Sequence, residues 1–176
     1  MLHHQQYLPK AAGIQAALAL QAGPPIMESM KRNLIGTAMM VLALDLLLKQ
    51  LPLGPDRVLI PGVLGLTRVQ NTGVAFGLLK NSPGLNLILT GLIILGGLLW
   101  LLRQKKLGGF AAFCAGLMLG GALGNFLDRI INGFVTDYLQ LLFLHFPVFN
   151  LADVAVTAGA LLLMLYILLG SRKEAA

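Results

Sequence analysis

Peptide hydrolysis without a metal or a covalent nucleophile needs two carboxylates close together. Like charges cannot both ionise comfortably there, so one acid keeps its proton and polarises the carbonyl while the other activates water. Asp137 and Asp153 are candidates for such a pair, because the chain between them is short enough to let them meet. Asp137 sits among Phe134, Val135, Tyr138 and Leu139, apolar or aromatic company in which a solvated loop acid is the plain alternative. Asp153 closes the segment Phe149-Asn150-Leu151-Ala152-Asp153. Asn150 reads there as a helix N-cap and Asp153 as the third helical residue, a capping box with Phe149 and Val154 spaced as a hydrophobic staple. A purely structural cap explains that segment equally well, and a helix N-terminus favours a carboxylate in either case.

Other polar groups cluster around this pair in the sequence. Asn125, Asp128 and Arg129 are spaced i, i+3, i+4 and share one side of a helix, with a salt bridge that ends the helix as the structural alternative. Asp45 and Lys49 are spaced i, i+4 inside an apolar stretch, acid first, which suits a pair that snorkels outward or positions loops or substrate. Asn71-Thr72-Gly73-Val74-Ala75-Phe76-Gly77 is a polar, glycine-containing element that reads as a turn. Other chemistries lack their residues. His3, His4 and His145 form no metal-spaced group, no serine sits in a GxSxG elbow, and Cys114 stands alone in an apolar run.

The elements that must hold these groups are membrane spans. Of 176 residues, 57% are hydrophobic and only 11% charged, against about 25% charged in an average soluble domain. That excludes an ordinary water-soluble globule. The net charge of +6 does not indicate nucleic acid, because the bases form no single polar face. A spanning helix needs about 20 predominantly apolar residues. Four stretches qualify, roughly Leu34–Leu53, Leu85–Leu102, Leu107–Leu127 and Leu151–Gly170, the third closed by Asp128 and Arg129. Within the third, Gly116, Gly120 and Gly124 form a ridge that admits another helix closely. Lys31, Arg32, Arg103, Lys105, Lys106, Arg172 and Lys173 fall on one side, and Arg57, Arg68, Lys80 and Arg129 on the other. Both termini are therefore expected in the cytoplasm, with most of the acids toward the outer surface.

The two outer connections carry structure. Val58-Leu59-Ile60 and Leu64 to Val69 read as short strands about a Pro61-Gly62 turn, suiting a small sheet on the membrane surface. Asn132-Gly133 is a tight-turn signal, and Val135, Asp137 and Leu139 share one face if the following segment is extended. Residues 1–30 read as an N-terminal extension outside the core. Met30-Lys31-Arg32 would make a normal cytosolic start, and no signal peptide is evident.

The motifs Asn71-Thr72-Gly73-Val74-Ala75-Phe76, Gly120-Gly121-Ala122-Leu123-Gly124-Asn125 with Asp128-Arg129, Gly133-Phe134-Val135-Thr136-Asp137 and Phe149-Asn150-Leu151-Ala152-Asp153 occur in a characteristic order. Over about residues 31 to 170 the chain resembles the bacterial lipoprotein signal peptidases, also called signal peptidase II or prolipoprotein signal peptidase. The resemblance implies an all-α integral membrane protein of four transmembrane helices, with a small extracytoplasmic β-cradle and a short interfacial helix. Residues 31–176 would be one transmembrane peptidase domain. It would be an aspartic endopeptidase of the bacterial inner membrane that cleaves diacylglyceryl-modified prolipoproteins just before the lipidated cysteine. The dyad would be Asp137 and Asp153, supported by Asn71, Gly73, Asn125, Asp128, Arg129, Asn150, Ala152, Asp45 and Lys49. Arg129 would donate to substrate carbonyls, and the asparagines would orient the dyad and peptide. No cofactor, metal, nucleic acid or obligate protein partner is implied, only prolipoproteins and membrane lipids. Leu46-Leu47-Leu48 stand where the family usually carries polar residues. A small proton- or ion-coupled transporter is the alternative from another class, with Asp45 inside a span as its best support. A non-catalytic scaffold built on the glycine ridge is a third.

Overall fold

In a computed structural model, residues 26–52, 56–73, 82–104 and 107–174 are described. The elements are α1 (Ile26–Gln50), β1 (Arg57–Ile60), β2 (Leu64–Asn71), α2 (Pro83–Arg103), α3 (Gly109–Asn132), β3 (Val135–Leu141) and α4 (Leu151–Glu174). All four helices are long and apolar enough to cross a bilayer. Helix α3 is the hub and packs on α1, α4 and, less extensively, α2. Its glycines explain why. A methyl group at Gly120 would lie 2.5 Å from the Ala38 carbonyl oxygen, and one at Gly116 2.7 Å from that of Leu34. The ridge read from the sequence is thus the face on which α1 lies, and Gly121, on an adjacent face, meets Ala152 and Val156 of α4 in the same way. Leucine and isoleucine side chains of α2 and α4, such as Ile88, Ile93, Leu161 and Ile167, point outward, where lipid would solvate them.

The strands form one antiparallel sheet in the order β1-β2-β3. Ile60-Pro61-Gly62-Val63 closes the first hairpin, with Val63 N–H on Ile60 O at 3.0 Å and Gly62 at φ 71°, a conformation that glycine adopts without strain. β3 pairs with β2 on one edge, and on the other Leu139 bridges Phe149 just before α4. By chain order, the C-terminal ends of α1 and α3 and the N-terminal ends of α2 and α4 all meet the strands.

Helix α1 begins at Ile26, ahead of the expected boundary at residue 30, and residues 1–25 lie outside the described part. Two expectations shift. Asp128 and Arg129 do not close the third span, because α3 runs on to Asn132. Asn132-Gly133 is consequently no hairpin turn but a helix end. Gly133 takes the left-handed conformation at φ 78° and its N–H bonds Arg129 O at 3.1 Å. No short interfacial helix stands among the described residues, and residues 74–81 between β2 and α2, including Val74-Ala75-Phe76, lie outside them.

Candidate active site

Helix α4 begins with every one of its free N–H groups satisfied, which a buried helix start demands. Leu151 N–H donates to the Tyr138 hydroxyl at 3.2 Å, Ala152 N–H to Asp45 Oδ1 at 3.0 Å, Asp153 N–H to Asn150 Oδ1 at 2.9 Å and Val154 N–H to Asn150 O at 3.2 Å. Asp153 Oδ2 accepts the Asn150 N–H in return at 3.2 Å, so the capping box is real. It fixes the backbone beneath Asp153. Asp45 thus crosses from the first helix to anchor the last, and Gly124, whose missing side chain would collide with Asp45 Oδ2, makes room for it.

Three asparagines from three elements hold two carboxylates. Asp137 on β3 accepts Asn150 Nδ2 on Oδ1 at 2.7 Å and Asn71 Nδ2 on Oδ2 at 2.9 Å. Asp153 accepts Asn125 Nδ2 on Oδ1 at 2.8 Å. Asn150 touches both acids, and both line one cleft of about 760 Å³ that extends between α2 and α4. Asp137 is 1% exposed, whereas Asp153 is half-buried and open to the cleft. Burial and the neighbouring charge of Asp153 raise the Asp137 carboxyl to about 6, against the opposing donors Asn71 and Asn150. Burial also raises the Tyr138 hydroxyl, to about 12, so it stays protonated beside the helix start. A pair of carboxyls that holds one proton between them would activate water and protonate a carbonyl oxygen.

A cation sets the orientation of these amides. Lys49 Nζ donates to Asn125 Oδ1 at 2.9 Å and forms ion pairs with Asp45 Oδ2 at 2.7 Å and Asp128 Oδ2 at 3.1 Å. Asn125 must turn its oxygen to the ammonium, where it also accepts Asn150 Nδ2 at 3.0 Å, so its NH₂ faces Asp153. Asp128 is pinned further by Asn132 Nδ2 and Thr136 N–H, both at 3.0 Å.

Two expectations about these charges change. Asp45 and Lys49 pair but do not snorkel: they are 0% and 5% exposed, because the polar partners lie inside the bundle. Asp128 pairs with Lys49 and not with Arg129. Arg129 instead donates Nη2 to Gly73 O at 3.0 Å and Nη1 to Asn125 O at 3.3 Å, while its buried Nε has no partner among the described residues. Gly73 N–H in turn donates to Asn71 Oδ1 at 2.9 Å, which orients that amide toward Asp137. Ala152 is fully buried, with its carbonyl against Gly121. All the candidate residues therefore gather at one site.

Sequence reasoning passed over Tyr138, Thr136 and Asn86. Asn86 is fully buried and donates to Thr72 O at 2.9 Å, bracing the segment that carries Asn71. A lone asparagine in the second apolar stretch was a usable signal. Asp45 is committed to Lys49 and to the start of α4, so the feature that favoured a transporter has a structural explanation.

Known proteins resemble this chain in sequence and in fold. The family model described as Signal peptidase (SPase) II matches residues 37–169. A lipoprotein signal peptidase of Brevibacillus brevis is 38% identical over 142 residues, covering 78% of this chain and 95% of that protein. Lipoprotein signal peptidases of Halothermothrix orenii, 40% identical over 73% of this chain and 90% of theirs, and Streptococcus pneumoniae, 34% identical over 78% and 94%, are also similar. A bacterial membrane enzyme solved by the in meso method at 2.3 Å superposes with a TM-score of 0.72 at 28% identity, covering 80% of this chain and 90% of that one. With the model matched across all four spanning helices and relatives covered almost end to end, this chain belongs to the signal peptidase II family.

Proposed function

We propose that this chain removes signal peptides from diacylglyceryl-modified prolipoproteins by aspartic proteolysis, with Asp137 and Asp153 as the catalytic pair. Family membership gives the coarse activity, a membrane protease acting on prolipoproteins. The observation that carries the aspartic reading is the pair itself. Two carboxylates bridged by Asn150 face one cleft, and one of them is raised to about 6.

In this mechanism Asp137 holds the shared proton and Asp153, more open to the cleft, is the base. Water attacks the scissile carbonyl carbon, gives its proton to Asp153, and the carbonyl oxygen takes the proton of Asp137. The tetrahedral diol then collapses. The C–N bond breaks, Asp153 passes its proton to the departing cysteine nitrogen, and the diol hydroxyl returns one to Asp137. Asn71, Asn125 and Asn150 keep both acids aimed, Lys49 with Asp45 and Asp128 locks Asn125, and Arg129 holds Gly73 with its Nε left for a substrate carbonyl. The lipid chains lie between α2 and α4, in the apolar part of the cleft. The peptidase unit spans residues 31–176 as read from the sequence, with the start of α1 at Ile26 reaching into the segment before it. The active end faces the outer leaflet of the inner membrane and both termini the cytoplasm, as the Lys and Arg distribution favours.

The test is processing of a diacylated prolipoprotein by membrane-inserted Asp137→Asn and Asp153→Asn variants. Each should lose at least about 10²–10⁴-fold in rate, the range for a general acid or base. Full activity in either variant would sink the pair.

A further inference from the structure

Thr157 stands one turn along α4 from Asp153, about 6 Å deeper by helical rise. It lines the same cleft and is exposed to it. Counted from Leu151, where the span begins, it lies roughly 9 Å along the helix. A hydroxyl at such depth is costly unless hydrogen-bonded, and threonine in an apolar helix ordinarily bonds the carbonyl one turn back. Thr90, across the cleft on α2, does so, donating to Asn86 O at 2.8 Å. Thr157 has no hydrogen-bond partner among the described residues. Its neighbours on the cleft wall, Ala122 and Val156, are apolar. Among the described residues the cleft therefore presents one uncommitted hydroxyl below the acids, across from the committed Thr90 and beside apolar Ala122 and Val156.

We propose that Thr157 is a specificity-determining residue whose hydroxyl donates to an ester carbonyl of the acylglycerol carried by the substrate cysteine. This deepens the reading above and rests on it. The chemistry of the substrate supplies the acceptor at the right remove. With the scissile bond at the acids, Cα, Cβ, sulfur and two glyceryl carbons lead to the first ester oxygen, a chain long enough to pass one helical turn. The acyl chains beyond it then meet the apolar wall, while the carbonyl, which would otherwise lose its water unpaired, finds the hydroxyl.

The test uses the full chain in detergent, with a synthetic prolipoprotein peptide whose cysteine carries either a diacylglyceryl (ester) or a dialkylglyceryl (ether) group. The ether analogue keeps the hydrocarbon and lacks the carbonyls. Wild type should bind the ester peptide more tightly, with KM about fivefold lower, the factor given by one hydrogen bond of ordinary net strength. Thr157→Val should raise KM for the ester peptide by that factor at unchanged kcat, which marks lost binding rather than lost chemistry, and leave the ether peptide unaffected. Thr157→Ser should behave as wild type. Equal loss on both peptides, no loss on either, or a serine variant as impaired as the valine one overturns the proposal. If wild type cleaves neither peptide, the prolipoprotein reading itself fails, and this inference falls with it.

Discussion

Asn150 does three jobs with one side chain and one N–H. Its oxygen caps α4, its NH₂ group binds Asp137 and Asn125, and its backbone N–H binds Asp153. Since Asp137 must be protonated in the proposed mechanism and its carboxyl stands at about 6, kcat/KM should fall as pH rises through about 6. A bound lipid substrate excludes more water, which disfavours the charged form further, so the same limb in kcat should lie higher. Asn71→Ala removes a donor that stabilises the Asp137 carboxylate. It should move the alkaline limb upward by about one pH unit, what a hydrogen bond to a charged group is worth. A pH–rate profile of both proteins checks this, and a downward movement would contradict the assignment. At this scale the sequence showed the acids and their caps, because capping is local. It hid the Lys49–Asp128 pair, which only the docking of α1 on α3 brings together, and the bond from Arg129 to Gly73 O, whose partners are distant in the chain.

The elements obey two kinds of evidence of unequal reach. Hydropathy found all four spans, since about 20 apolar residues are hard to mistake. It misplaced the end of α3, since charges that seemed to meet water instead turn inward to Lys49, Thr136 and Gly73. Turn chemistry found the β1–β2 hairpin at Pro61-Gly62 but misread Asn132-Gly133, because left-handed glycine serves both hairpins and helix ends. Helix packing gives a further prediction. Gly120→Ala drives a methyl group onto the backbone of α1, which must move, and should cost about 1–3 kcal/mol. Gly96→Ala, on α2 with nothing within 4 Å, should be neutral or stabilising by about 1 kcal/mol through helix propensity. Thermal unfolding of the two in one detergent separates them. Equal midpoints would mean that α1 does not lie on this ridge.

For the whole molecule, the quantity to measure is orientation, and the chain is suited to measuring it. The native Cys114 is fully buried, so it gives no background to thiol reagents. Asp56→Cys, exposed beside the sheet, should react with a membrane-impermeant maleimide on intact spheroplasts. Gln104→Cys, at the far end of α2, should react only after permeabilisation. The reverse pattern would put the carboxylates on the cytoplasmic side. Charge asymmetry in the sequence favours that arrangement, whereas the depth of the cleft and the donor in its wall depend on how α2 and α4 splay. One consequence follows from the way α4 begins. Its first turn is tied to Asp45 of the first span and to Tyr138 of the last strand, and the same turn carries Asp153. During synthesis the ribosome releases the first helix early and the fourth last. If the two carboxylates act as proposed, no chain lacking α4 holds both in place, and proteolysis would begin only once α4 has inserted and docked.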